Sequence, residues 1–159
     1  MDEAMREQVG RALGRIPSGC AIVTARSGEK CTGMLGSWVQ QAGFEPPMIS
    51  VAIRRGRPIE GLIEASGEFV INLLGEDPTA MFRHFGKGFE LGQDAFAGLA
   101  VKEVACGIEI ADQVARLSVR VRGRCEAGDH VIYVGEVVEA SAKEAGRAYV
   151  HTRKSGWSY

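Results

Sequence analysis

Met5, Val9, Ala12, Leu13 and Ile16 recur at the spacing that lines one face of a helix, which predicts an amphipathic helix over residues 3–15. Pro17-Ser18-Gly19 ends it. Residues 20–26 form a run rich in β-branched side chains, and Ser27-Gly28-Glu29 turns them into a second strand from Lys30. The stretch 48–54 is almost wholly apolar on both alternating sets of positions, as in a strand buried on both faces. A helix is predicted at 58–65, with Pro58 in its first turn and Ile59, Leu62 and Ile63 on one face. Residues 69–74 read as another buried strand and 78–85 as a short helix. Residues 86–98 hold four glycines and scattered aromatics, which predicts an irregular loop.

Strands dominate the second half. Over 114–125, Leu117, Val119 and Val121 alternate with Arg116, Ser118, Arg120, Arg122 and Arg124. Gly128-Asp129 then turns the chain into 131–140, giving a long hairpin. Short strands around a few helices, with no β-α-β alternation, predict a mainly β (α+β) fold: a small antiparallel barrel with flanking helices. No internal repeat or linker-like stretch interrupts the chain, so one domain is expected over 1–159.

Composition narrows the function classes. The chain has 159 residues, 45% hydrophobic and 25% charged, which suits a folded domain and not a disordered tail. Nineteen Lys and Arg against twenty Asp and Glu leave a net charge of -1, unlike the basic balance of a nucleic-acid binder. The apolar run at 48–53 is far shorter than the roughly 20 residues a membrane helix needs. With no signal-like opening and no C-x-x-C pair, Cys20, Cys31, Cys106 and Cys125 are read as reduced thiols of a cytoplasmic protein. Cys20 and Cys125 sit in strand-like runs and are expected to fill core space. His84, His130 and His151 are too scattered to suggest a metal site.

Two segments could carry chemistry. Residues 33–47, opening Gly33-Met34-Leu35-Gly36-Ser37-Trp38-Val39, link two apolar strands; glycines there could let backbone N–H groups approach a polar ligand, with Ser37 as a further donor. Arg54-Arg55-Gly56-Arg57 places three guanidiniums in four residues, and guanidinium forks match phosphate oxygens. Together they read either as a phosphate seat or as a glycine-rich corner followed by a solvated basic turn.

The stretch from Gly33 to Ala42, Phe44-Glu45-Pro46-Pro47 and Arg57-Pro58-Ile59-Glu60-Gly61-Leu62 resemble the flavin-reductase-like family, whose fold is the FMN-binding split barrel. Among its members the chain most closely resembles the flavin-reductase module at the C-terminus of cyanobacterial flavodiiron proteins. The resemblance runs on through Phe69-Val70-Ile71-Asn72-Leu73-Leu74, Arg83-His84-Phe85, Gly92-Gln93-Asp94-Ala95-Phe96-Ala97-Gly98, Gly128-Asp129-His130 and His151-Thr152-Arg153-Lys154-Ser155-Gly156. It therefore covers nearly the whole chain.

For individual residues the resemblance implies that Gly33, Met34, Leu35, Gly36, Ser37, Trp38 and Val39 hold the flavin ring and phosphate of FMN. Arg54 and Arg57 would pair with the phosphate, and Phe85 with the loop through Phe89 would close over the flavin. His130 would lie near the nicotinamide or the flavin edge as the candidate catalytic group. His151 and Arg153 would reach back toward the ligand, across a dimer interface. Two positions depart from the family pattern: Gly36 stands where Ser or Thr is usual, and Thr152 replaces a common second histidine. Trp38 either flanks the cofactor or plugs the barrel mouth. The arginines at 116, 120, 122 and 124 either attract a nicotinamide nucleotide's pyrophosphate or, as the favoured reading, form a polar strand face paired with acids.

The implied activity is an NAD(P)H:flavin oxidoreductase, passing hydride from nicotinamide C4 to flavin N5 on FMN (FAD being possible), in a homodimer. Such chemistry asks the protein for alignment and electrostatics more than for a titrating residue, which agrees with the lack of a visible acid–base pair or nucleophilic triad. One alternative is an FMN-bearing electron-transfer module served by a redox partner protein. Another is a non-catalytic split barrel that binds a different planar ligand such as haem.

Overall fold

The computed structural model describes residues 1–158. Helix α1 (Glu3–Gly14) leads into β1 (Ser18–Gly19), β2 (Ala21–Ser27), β3 (Lys30–Gly36), β4 (Val39–Gly43) and β5 (Met48–Arg54). Helix α2 (Pro58–Ser66), β6 (Glu68–Leu73) and α3 (Thr79–Phe85) follow. The chain ends through β7 (Val101–Val104), β8 (Gly107–Ile110), β9 (Ala115–Ala127), β10 (His130–Ala142) and β11 (Val150–His151).

Seven of these strands make one antiparallel sheet in the order β3-β2-β6-β9-β10-β5-β4. Its two edge strands, β3 and β4, are separated in sequence only by Ser37 and Trp38. Laid flat, six gaps of about 4.8 Å would hold the edges roughly 29 Å apart, whereas three Cα steps reach at most about 11 Å. The sheet must therefore curl until its edges meet, closing a barrel across the Ser37-Trp38 link. Ala52 N–H donating to the Trp38 carbonyl at 3.0 Å ties that link to β5.

Side-chain alternation sorts residues between the barrel interior and its outer face. Ala21, Val23 and Ala25 of β2 point inward with Ile49, Val51 and Ile53 of β5, Phe69 and Ile71 of β6, Val119 and Tyr133. Ile59, Leu62 and Ile63 of α2 join this cluster, so the helix completes the inner core. Pro58 opens α2, and Gly67, at φ 70°, ends it in the left-handed conformation that glycine adopts without strain. On the outer face, Cys20, Ile22 and Leu74 pack with Met81 and Phe85 of α3, Ala95, and Ile108 and Ile110 of β8. Buried polar groups fasten this layer. Thr24 Oγ1 donates to the Ile108 carbonyl at 2.8 Å, while Asn72 Nδ2 donates to the same carbonyl at 3.0 Å and Asn72 Oδ1 accepts from Ile110 N–H at 2.9 Å.

The structure matches the expected mainly β antiparallel fold with three helices and departs from the sequence reading at several points. Gly33–Gly36 belong to β3 and pair with β2, so only Ser37 and Trp38 are linker. Strand β5 is not buried on both faces: Ile49, Val51 and Ile53 are buried, whereas Met48, Ser50 and Ala52 are only partly covered. Cys125 is exposed and fills no core space, because β9 beyond Val121 has run past its neighbour β6 and pairs with β10 alone. The arginine face of β9 is ion-paired, as favoured: Arg120 with Glu68 at 3.2 Å, Arg122 with Glu136 at 2.6 Å and Arg124 with Glu64 at 2.6 Å. Arg116, however, is buried beneath β8, where Glu109 and Glu139 take its charge at 3.2 and 2.8 Å. Among the described residues, no helix is long and apolar enough to cross a membrane.

Candidate functional site

A cavity of about 260 Å³ opens where the two sheet edges meet α3. Its lining includes Met34, Leu35 and Ser37 from the end of β3 and the link, and Arg54 and Arg57 from the turn after β5. Cys20, Phe82, Phe85 and His151 complete most of the apolar and aromatic wall. The two segments singled out as an anion seat, 22 residues apart at Leu35 and Arg57, thus converge on one space.

The three guanidiniums of the turn have different fates. Arg55 is engaged by Glu126 at 2.8 Å, which raises its pKa through the hydrogen bond and the charge. Arg54 touches Asp129 only loosely, Nε to Oδ2 at 3.9 Å. Arg57 forms no ion pair among the described residues and lies beside Gly88, whose φ is +74° and where an added Cβ would stand 3.2 Å from Arg57 Nη1. Arg57 also caps the N-terminus of α2, so helix dipole and side-chain charge act together at this corner. Nearby, the hydroxyl of Thr32 is buried with no hydrogen-bond partner among the described residues, in the narrow gap it shares with Arg57 and Gly88. A buried hydroxyl is normally satisfied, and this gap of about 10 Å³ has room for no more than a single water to do so.

Other predicted site residues lie elsewhere. Gly33 does not face the cavity; its missing side chain makes room for the Phe85 ring, 3.0 Å from where a Cβ would be. Gly36 faces Val23, so a hydroxyl side chain there would meet that methyl at 3.2 Å before it met a ligand. Val39 packs on the inner core. Phe89 stands in an adjoining cavity of about 520 Å³ that shares Arg57 and Gly88 with the first and adds Lys87, Glu90, Gln93 and Asp94.

His130 does not line the first cavity. Its ring lies 4.7 Å from that of Trp38, and its Nδ1 donates to Asp129 Oδ1 at 2.7 Å, since a carboxylate can only accept. That bond, with help from Arg54, holds the Asp129 carboxyl below its usual range. Arg153 also sits over the Trp38 ring, 5.1 Å from its centre. His151 does reach the cavity, and from its own chain: β11 pairs with β1, placing His151 opposite Ser18.

Sequence reasoning missed Cys20, Phe82 and Gly88. Phe82 was findable, lying one helical turn before Phe85 on the same face. Cys20 was read as core filler; it is buried, with its thiol pushed up to about 11 by burial, and it also forms cavity wall.

A model of the flavin reductase-like domain matches residues 13–157. The chain belongs to the flavin reductase-like family. Diflavin flavoprotein A 1 of Synechocystis sp. is 38% identical over 160 residues, covering 99% of this chain and 28% of that protein. The chain therefore spans little more than a quarter of that relative. Among solved structures, the NADH:FAD oxidoreductase SgcE6 of Streptomyces globisporus C-1027 superposes with a TM-score of 0.87 at 24% identity, over 97% of this chain and 92% of that one. SgcE6 is also solved in complex with NAD and FAD fragments. Flavin reductase PheA2 gives 0.76 at 22% identity, over 96% and 98% of the two chains. At those identities the likeness establishes the split-barrel fold.

Proposed function

We propose that this chain is an NAD(P)H-dependent flavin reductase that seats FMN in the cavity between the β3 end, the arginine turn and α3. The observation that carries this reading is the convergence of apolar and aromatic wall, one hydroxyl and two guanidiniums on a single 260 Å³ space. Such a lining suits a flat aromatic ligand that bears an anion. Met34, Leu35, Phe82 and Phe85 give the ring an apolar bed and exclude water from it. Arg57, free of ion pairs among the described residues, and Arg54, loosely held by Asp129, bind the phosphate, with Ser37 as donor. Bound flavin supplies the hydride-accepting chemistry. The adjoining cavity, reached past Arg57 and lined also by Lys87 and Phe89, takes the nucleotide part of NAD(P)H or of FAD.

In this reading His130 is a positioning residue: with Asp129 and Trp38 it sets how tightly Arg54 is held. Homodimerisation is part of the proposal too. Support comes from β4, an exposed edge strand, and from Phe44, 90% exposed in the turn that follows it.

A second reading, an FMN module reduced by a redox partner, draws on the chain matching only 28% of a larger flavoprotein. An anaerobic experiment separates the two. Protein saturated with FMN and mixed with NADH or NADPH loses its yellow colour in the first reading. Bleaching only after a reductase protein is added supports the second. A chain that takes up no flavin overturns both.

A further inference from the structure

The C-terminal segment after β11 runs back along α1 and is held there by backbone contacts that only glycines permit. Arg153 N–H donates to the Gly14 carbonyl at 3.0 Å, and Gly156 N–H donates to the Gly10 carbonyl at 2.7 Å. These bonds require a strap lying directly on the helix surface. A Cβ at Gly14 would stand 2.6 Å from the Arg153 carbonyl oxygen, and one at Gly156 would run into Leu13 Cβ. Trp157 finishes the seat, its Nε1–H donating to the Arg6 carbonyl at 3.0 Å beneath the Arg6 guanidinium.

The strap connects this dock with the cavity. At its start β11 pairs with β1, which puts His151 in the cavity wall, its ring edge-on to Phe82 at 6.3 Å. Two residues on, Arg153 spreads over Trp38 while its own backbone is bonded to Gly14. A two-residue strand pair is too short to hold such a segment by itself.

We infer that the Gly10–Gly14 face of α1 is a dock whose job is to hold the C-terminal strap, and through it His151 and Arg153, in position around the ligand cavity. Gly10, Gly14 and Gly156 are positioning residues that touch no ligand themselves. The inference rests on the cavity being the flavin site.

Gly14→Ala and Gly156→Ala test it. Alanine is the better helix former at 14, and position 156 lies outside the barrel, so neither change threatens folding. Gly61→Ala, a helical glycine whose Cβ would meet nothing within 4 Å, is the control. Trypsin reads the strap, because Arg153 and Lys154 are its cleavage points; FMN titration reads the cavity. Apparent Kd rises as the inverse of the docked fraction, so a strap docked one-tenth of the time weakens FMN roughly ten-fold.

The expected result is faster cleavage at Arg153 and Lys154 together with weaker FMN binding in both dock variants, and wild-type behaviour in the control. Faster cleavage with unchanged FMN affinity overturns the inference, and so does unchanged cleavage. Absence of FMN binding by the wild-type chain overturns the flavin reading of the cavity and the positioning role with it; the trypsin rates still report separately whether the strap is docked on α1.

Discussion

Arg54, Arg55 and Arg57 look interchangeable in the sequence, and the structure gives them separate duties that substitution can expose. Arg57→Ala removes a guanidinium that has no ion pair among the described residues and lines the cavity. A hydrogen bond to a charged group contributes about 1.5–3 kcal/mol, which corresponds to a loss of about 10- to 150-fold in FMN affinity. Riboflavin has the same ring system without the phosphate, so its affinity should stay as it was. Arg55→Ala breaks only the contact with Glu126 and should leave both ligands unaffected. Quenching of flavin fluorescence, measured with FMN and riboflavin on all three proteins, gives the needed differences. Equal weakening of FMN and riboflavin in Arg57→Ala would refute the phosphate role, and so would a larger FMN loss in Arg55→Ala than in Arg57→Ala.

Other consequences follow from packing and ionisation. Asn72→Ala strands the Ile110 N–H in the outer layer, costing about 3 kcal/mol, a fall in Tm of roughly 6–12 °C by calorimetry. Gly135→Ala forces a Cβ to within 2.8 Å of the Arg120 carbonyl oxygen at the bulge between β9 and β10, costing about 1–3 kcal/mol in urea unfolding. Cys125 should react with a thiol reagent in the native protein well before Cys20 and Cys106, which are buried and have raised pKa values. Because the Cys20 thiol sits at about 11 when folded against 9.0 as a free group, its contribution is intact below pH 9 and is lost as pH rises toward 11. Urea midpoints should therefore fall over that range, and by less in Cys20→Ala.

Much of the barrel was legible because its signals are local. The β-branched run of β2, the continuous apolar run of β6, the proline that opens α2 and the turn at Gly128-Asp129 all survive in the structure. Strand β4 was not legible: Val39-Gln40-Gln41-Ala42-Gly43 has no apolar alternation and is extended only because β5 pairs with it. The β7–β8 hairpin is held by Thr24 and Asn72, 84 and 38 residues away in sequence from their partners Ile108 and Ile110, a distance no local pattern reveals. At the site, the arginine turn and Ser37 could be read from residue type. Which arginine is left unpaired could not, since that depends on where Glu126 and Asp129 fall at the far end of the β9–β10 hairpin. At 33 and 36 the structure adds what residue type alone did not show: the missing side chains make room for Phe85 and Val23.

A crystal structure of the chain with FMN shows whether the arginine turn and Ser37 share one phosphate. The phosphate is expected within about 2.7–3.2 Å of both Arg57 and Ser37, with the ring system against Phe85. FMN bound away from this cavity, or a phosphate reached by neither of those two residues, would contradict the proposed site.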